Sequence, residues 1–360
     1  MPVLPSEIIV DILARLPVKS LLRFKCACQS WRCSIADPYF VQKHLDRATK
    51  DANTHRHRLL LSTSPLQSVD FEVADEDEYE PVKLDFPLKM PQRKAEIVGS
   101  CNGLICLVVD SDSIILWNPS TRDAKELPKP YAITGGCQLN YGFGYDSCMG
   151  DYKVVRVARP ATSSDFASTM VEIFSLKTSS WRRIQDVDPR IVLFGPGSPL
   201  NGVLHWFGER EIGQDLSSVI ISFDLAAEKF QEVVQVPDPD VVTLSIRDFR
   251  VLGEYLSISC SDFEDYAEIW VMKEYGVKAS WTRLVTLKSD TEPICEEWMA
   301  ALWYSKNDEI LIDMDGIILA MYNPKENTCR ILLVDDDCGW LESFVYVESL
   351  VSPNVNDGTN

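Results

Sequence analysis

Apolar residues change their spacing once along this chain, and the change divides it in two. Near the N-terminus Ile8, Ile9, Ile12, Leu13 and Leu16 fall at helical spacing. Pro17 ends that helix and opens another carrying Leu21, Leu22 and Phe24, and Asp37 followed by Pro38 predicts the cap and first turn of a further helix holding Phe40, Val41 and Leu45. Helices so short and so close together carry more apolar face than they can bury among themselves, so a partner or the rest of the chain must cover them. Beyond residue 55 the spacing becomes an alternation of β-branched and aromatic residues with polar ones, the period of strands.

One unit recurs in this second part: a strand holding an aromatic, a polar turn, then a second strand. It reads IILWNPSTRDAKELP from Ile114, VEIFSLKTSSWRRI from Val171 and IISFDLAAEKFQEVV from Ile220, then AEIWVMKEYGVKASWTRLV from Ala267 and LAMYNPKENTCRILL from Leu319. The aligned aromatics Trp117, Phe174, Phe223, Trp270 and Tyr322 are 57, 49, 47 and 52 residues apart. Strands repeating about every 50 residues predict the four-stranded blades of a β-propeller. The segments CNGLICLVV, GDYKVVRVA, NGVLHWF, GEYLSIS and NDEILIDM supply the other half of five blades between residues 96 and 334. A sixth is assembled from strands near Leu59–Leu61, Val69–Phe71 and Val82–Phe86, completed by the C-terminal run Ser343 to Val351. Six blades is the expected count, with five and seven as alternatives.

The turns inside each repeated hairpin are short: Asn118–Arg122, Leu176–Ser179, Asp224–Glu228 and Asn323–Thr328. Longer connections, at 129–140, 158–169, 186–199, 208–217, 237–248, 261–267, 288–298 and 335–342, fall on the other set and should emerge on one face. Long loops on a rigid scaffold are the usual carriers of binding. Tyr131, Phe166, Phe194, Phe263, Tyr266, Trp298 and Trp340 lie in them without being required by any strand pattern, and are the candidate anchors for a bound protein.

Charge sharpens the division. The net charge is −19, yet residues 1–60 hold ten Lys and Arg against five Asp and Glu, so the remainder carries −24. Such an acidic region repels nucleic acid and suits a basic protein partner. No apolar run approaches the roughly 18–20 residues that cross a bilayer, and Glu7, Asp11 and Arg15 interrupt any apolar leader. Eleven cysteines, an odd number at irregular spacings, do not read as a disulfide scaffold and point to a reducing cytoplasmic or nuclear setting.

Few residues suggest chemistry. Cys26, Cys28 and Cys33 followed by His44 lack zinc spacing, so no metal and no cofactor is expected. His55 and His57 flank Arg56 in what reads as a solvated polar linker, the acidic run Glu72 to Glu80 reads as a solvated loop, and so do Asp335 to Asp337. His205, between Leu204 and Trp206, reads as a partially exposed strand histidine. No nucleotide, hydrolase or metalloprotease signature occurs.

Two resemblances cover nearly the whole chain. LPSEIIVDILARLPVKSLLRFKCACQSW, with Leu4-Pro5, Leu16-Pro17, Val18-Lys19-Ser20-Leu21, Cys28 and Trp31, resembles the F-box, and LPVKSLLRFKC is similar to its plant group. SCNGLICL, LWNPSTRDAKELP, GFGYD with DYKVV, and NGVLHW resemble the F-box-associated domain of plant F-box proteins. The resemblance implies a small all-α F-box module at 1–46, a linker at 47–57, an all-β propeller at 58–352 and a tail at 353–360. It further implies a non-catalytic substrate receptor that docks on an SKP/ASK-type adaptor, and through it a cullin and a RING subunit, while the propeller holds a protein for ubiquitination. Carried over by position, Leu4, Pro5, Ile8, Leu16, Pro17, Leu21, Leu22 and Trp31 would form the adaptor interface or the small core behind it. The other reading is a propeller enzyme or sugar-binding propeller with a channel site, which predicts inward His, Asp or Glu repeated from blade to blade.

Overall fold

The computed structural model of the 360-residue chain describes residues 5–50, 56–72, 81–86, 95–110, 113–132, 136–160, 169–213, 215–236, 245–261, 266–288, 299–305, 308–334 and 342–354. Four helices come first: α1 (Ser6–Leu13), α2 (Val18–Phe24), α3 (Gln29–Ala36) and α4 (Pro38–Lys50). Pro17 stands at the N-cap of α2, as its fixed φ and missing N–H favour. The Asp37 carboxylate accepts the backbone N–H groups of Tyr39 (2.8 Å) and Phe40 (3.4 Å), capping α4 as the Asp-Pro pair predicts. The helix runs on to Lys50, past the expected boundary at residue 46.

Apart from one 3-10 turn at Lys278–Ser280, the regular structure described beyond the helices is β and propeller-like. A four-stranded sheet is formed by β1 (His57–Leu61), β2 (Gln67–Val69) and β3 (Val82–Lys83) with β24 (Ser343–Val347), in the order β24-β1-β2-β3. A second holds β4 (Ala95–Cys101), β5 (Leu104–Val109), β6 (Ser113–Trp117) and β7 (Ala124–Glu126). Next come β8 (Cys137–Asp146), β9 (Asp151–Pro160), β10 (Met170–Ser175) and β11 (Ser180–Arg183), then β12 (Ile191–Leu200), β13 (Val203–Ile212), β14 (Asp215–Asp224) and β15 (Lys229–Gln235). Two further four-stranded sheets follow, β16 (Ser245–Leu252), β17 (Tyr255–Ser261), β18 (Tyr266–Met272) and β19 (Trp281–Lys288), and β20 (Met299–Tyr304), β21 (Ile310–Met314), β22 (Ile318–Asn323) and β23 (Thr328–Val334).

Six separate blades are not what forms. Four sheets are separate four-stranded units, and the other eight strands make one sheet, β11-β10-β9-β8-β12-β13-β14-β15. The join is a parallel pairing of Gly197 with Gly142. Both glycines press on the indole of Trp206: a Cβ at Gly142 would stand 2.6 Å from Trp206 Cζ2, and one at Gly197 2.5 Å from Cε2 and Cζ2. Missing side chains on β8 and β12 let the two strands close over the ring, whose Nε1–H donates to the Tyr141 carbonyl at 3.2 Å.

The repeat itself has a clear structural meaning. Trp117, Phe174, Phe223, Trp270 and Tyr322 all sit on the third strand in sequence of their four-strand groups, and all but the half-buried Trp270 are buried. Two residues after the third strand ends, backbone N–H groups return to its last polar side chain: Asp224 accepts from Ala226 and Ala227 (both 2.8 Å), and Asn323 from Lys325 (3.0 Å) and Glu326 (3.3 Å). Asn118 does the same for Ser120 (2.8 Å) and Thr121 (3.3 Å). These side chains mimic a backbone turn and set the short hairpins that the sequence predicts. The last turn residue is left-handed each time, at Arg122 (φ 66°), Ser179 (50°), Glu228 (56°) and Asn327 (51°).

Contacts divide the chain into two compact units, residues 1–127 with 344–360, and residues 128–343. In the first, the helices and the two sheets β24-β1-β2-β3 and β4–β7 share the C-terminal segment. Tyr346 enters the core of Leu60, Ile97, Leu107 and Trp117, while Leu350 enters the helical core beside Leu13, Leu21, Ile35 and Phe40. Asn118 Nδ2, wholly buried, donates to the carbonyls of Ser349 (3.0 Å) and Val351 (2.7 Å).

Gly197→Ala should lower stability by about 1–3 kcal/mol, because its Cβ overpacks an indole fixed by a hydrogen bond. Gly195→Ala, at a left-handed position (φ 63°) with open space around it, should cost about 1 kcal/mol. Urea midpoints of the two variants check the order.

Candidate functional site

Two surfaces offer a partner something to hold. On the helices the predicted apolar stripe divides. Leu13 is buried and Ile9 and Val10 pack on the same core, whereas Ile8 (45 % exposed) and Ile12 (48 %), one turn apart on α1, face outward. Pro5 and Pro17 are exposed beside them in sequence, Leu16 and Leu22 are half-buried against the core, and Trp31 is half-buried with its ring 5.2 Å from Phe24. Leu21 is fully buried and belongs to the module's own core, so it has no surface for a partner. Leu4 lies outside the described residues. The sequence signal for the outward face is the i, i+4 pair Ile8 and Ile12, and Ile12 was missed because it reads equally as core. Tyr39, 73 % exposed at the start of α4, was missed as well. Lys43 on α4 donates to Asp11 on α1 and ties the two helices together.

Behind this face lies a group the sequence places in a solvated linker. Arg56 is 2 % exposed; its guanidinium donates to the carbonyls of Leu16 (3.2 Å) and Ala14 (3.4 Å), just past the end of α1, and to His44 Nε2 (2.8 Å). A cation suits the negative end of a helix. The same His44 Nε2 lies 3.1 Å from the Leu16 carbonyl, so it stands between a guanidinium that can only donate and an oxygen that can only accept. Burial, with the Arg56 charge adding to it, pushes the His44 pKa down to about 4. The linker prediction also fails for His57, which opens β1 and whose backbone N–H donates to Glu72 at 2.9 Å. Glu72 is thereby removed from the solvated acidic run; His55 and residues 73–80 lie outside the described residues.

Among the seven aromatic anchors, Tyr131 is exposed on a backbone fixed by a buried ion pair. Its N–H donates to Glu172 (3.2 Å), its carbonyl accepts from Arg156 (3.0 Å), and Arg156 and Glu172 meet at 2.6 Å. Phe194 (39 % exposed) lies not in a loop but in β12, its ring 5.8 Å from Phe207. Tyr266 opens β18 opposite Lys288. Phe166, Phe263, Trp298 and Trp340 lie outside the described residues, as do Asp335 to Asp337. The connection expected at 208–217 is instead the tip of the ten-residue hairpin β13–β14, paired out to Ile212 and Asp215.

His205 is fully buried, not partially exposed, and its Nε2 lies 2.7 Å from the Tyr275 hydroxyl. Burial pushes its pKa down to about 4. Beside Tyr275 stand the Ser222 hydroxyl, which hydrogen-bonds it, and the Asp224 carboxylate, whose Oδ1 is engaged by the turn amides of Ala226 and Ala227. A cavity of about 260 Å³ is lined by residues including Asp186, Asp188, Glu228 and Glu232. Each carboxylate is already matched, to Arg183 (3.2 Å), Arg190 (2.7 Å), Lys153 (3.0 Å) and Arg210 respectively. Among the described residues no three His, Cys, Asp or Glu gather as metal ligands, and no helix is long and apolar enough to cross a membrane.

Residues 1–43 match the F-box domain and residues 57–353 the F-box associated beta propeller domain. The chain belongs to the plant-type F-box proteins that carry this propeller. It is 31 % identical to the F-box protein CPR1 of Arabidopsis thaliana, over 98 % of this chain and 89 % of that protein. It is 30 % identical to an F-box/kelch-repeat protein of the same plant, over 98 % of this chain and 96 % of the relative.

Both buried histidines must be neutral in the folded protein but take up a proton near pH 6.5 when unfolded. Stability is therefore complete above about pH 6.5, declines as pH falls toward about 4 and levels below it, by about 1.4 kcal/mol per pH unit for each histidine. Chemical-denaturation midpoints at pH 7 and 4.5 should differ less in a His44→Gln, His205→Gln variant than in the wild type.

Proposed function

We propose that this protein is the substrate-recognition subunit of an SCF-type cullin ubiquitin ligase. Its F-box binds an SKP/ASK-type adaptor, which brings a cullin and a RING subunit, and its β region binds a protein destined for ubiquitination and turnover. The observation that carries this reading is the division of the helical stripe. Leu350 of the same chain supplies the inward side of the module, yet Ile8 and Ile12 remain uncovered beside two exposed prolines. Apolar side chains so placed are stabilised by a partner, at about 25 cal/mol for each Å² removed from water.

The protein performs no bond chemistry in this role. By holding a target near the conjugating machinery it raises the local concentration of the target's lysines. Tyr131, Phe194 and Tyr266 are the described members of the proposed substrate face, with Phe166, Phe263, Trp298 and Trp340 as its further candidates. A reducing compartment, cytoplasm or nucleus, suits nine free thiols among the described residues. The net charge of −24 beyond residue 60 favours a basic target.

Co-purification with an SKP/ASK-type adaptor tests the reading. Ile8→Asp with Ile12→Asp should abolish the complex while leaving the unfolding midpoint unchanged. Leu21→Ala should instead cost about 2–5 kcal/mol of stability, since it opens a cavity in the module. An adaptor that never binds the wild type, or that binds the double variant equally well, would sink the proposal.

A further inference from the structure

The hairpin β13–β14 is longer than the central hairpin of the sheet that follows it. Its strands run ten residues each, against seven for β17 and β18 in the adjoining sheet. Low on this hairpin, Phe207 and Ile220 face each other and pack against Phe249, Ile258 and Trp281 of that sheet. Higher up, the same face carries different residues. Strand alternation puts Glu209 and Glu211 on the side of Phe207, with Ser218 and Leu216 as their partners on β14 and Val192 opposite Glu209 on β12. Phe194, paired with Phe207, completes the face at its lower corner. Phe194 is 39 % exposed and Leu216, at the opposite corner, 62 %.

Four residues along the strands and two strands across put these two side chains about 16 Å apart. Glu209 and Glu211 lie between them, and neither carboxylate is hydrogen-bonded or ion-paired among the described residues. The contrast with the other side of the hairpin is direct, because there Arg210 is matched by Glu232. Two apolar corners astride two unmatched carboxylates are complementary to one kind of surface: apolar side chains of similar spacing with a Lys or Arg between them. Phosphate-bearing ligands, whether nucleic acid or an anionic lipid surface, would be repelled by the same carboxylates.

We infer that this face of the β12–β13–β14 hairpin docks a segment of the target protein in which a basic residue stands between two apolar ones. The inference rests on the substrate-receptor reading and gives that reading a place and a partner chemistry. Its energy comes from burying Phe194 and Leu216; the carboxylates select the partner's charge and raise the association rate.

The test uses the full chain co-purified with an SKP/ASK-type adaptor and a displayed library of random twelve-residue peptides, followed by anisotropy titration of the synthetic consensus peptide. Enriched peptides should share an apolar–basic–apolar pattern. Affinity should fall at least tenfold in Phe194→Ser with Leu216→Ser, at least tenfold in Glu209→Lys with Glu211→Lys, and further as salt is raised. Glu211→Lys alone, on an exposed residue, should weaken binding severalfold and keeps the test decisive if a double variant unfolds. An unenriched library, a consensus without Lys or Arg, or affinity untouched by these substitutions overturns the inference. Loss of the adaptor from the wild-type preparation would instead indict the receptor reading, so the two failures are distinguishable.

Discussion

Eight residues near the C-terminus, Phe344 to Val351, hold the first compact unit together. As the end of β24 they lie beside β1 and give the N-terminal sheet its fourth strand. An open strand there would leave a row of unpaired backbone groups, an edge that invites association with other chains. The same segment then serves two further masters. Its carbonyls at Ser349 and Val351 take both amide protons of the buried Asn118, and its Leu350 fills the core between the F-box helices. Gly103 is shaped by this contact, since a Cβ there would stand 2.3 Å from Ser349 Oγ and 2.6 Å from the Val347 carbonyl. Sheet, turn and helical module thus depend on one stretch of chain.

A module attached this way differs from one tethered by a flexible linker. Arg56 binds the carbonyls just past the end of α1, its own carbonyl accepts the Glu348 N–H at 2.9 Å, and the chain enters β1 one residue later. Burying a guanidinium costs several kcal/mol unless its donors are satisfied, so this residue is pinned as well as pinning. The outward face bearing Ile8 and Ile12 is therefore held at a set orientation to the sheets of its own unit. For a protein that works by positioning, rigid attachment of the docking face is worth more than reach: a flexible tether spreads the bound partner over many positions, and effective concentration falls accordingly.

What could be read in the sequence follows a physical line. Strand alternation and turn chemistry are local, so the recurrent hairpins, the aromatics of the third strands and the Asp37 cap were legible. So was the sheet made from both ends of the β region, because its strands were simply left over. Legibility stopped where long-range packing decides. Nothing within ten residues of Gly142 announces that it will meet Gly197 across Trp206 and merge two groups of strands into one sheet. Arg56 between two histidines looks like solvent-facing chain until the end of α1 arrives above it. His205 looks half-exposed until Tyr275, seventy residues on, covers it. Leu21 on α2 and Ile8 on α1 are equally apolar in a sequence, and only the packed helices reveal that one is core and the other surface.

The repeat also constrains where recognition can reside. Residues that recur from one group of strands to the next, such as Trp117, Phe174, Phe223 and Tyr322, are buried, and the recurrent Asn and Asp side chains are engaged with their own turns. Positions with the same task in every repeat cannot tell one partner from another. In the proposed receptor role, discrimination falls to features outside the repeat: an exposed Tyr131 on a backbone clamped by a buried ion pair, and the outer half of the β13–β14 hairpin. Both are loosely required by the fold, since neither contributes a core residue at its tip. A side chain such as Leu216 can therefore change without a stability cost, which frees the proposed recognition face to vary on a scaffold that cannot.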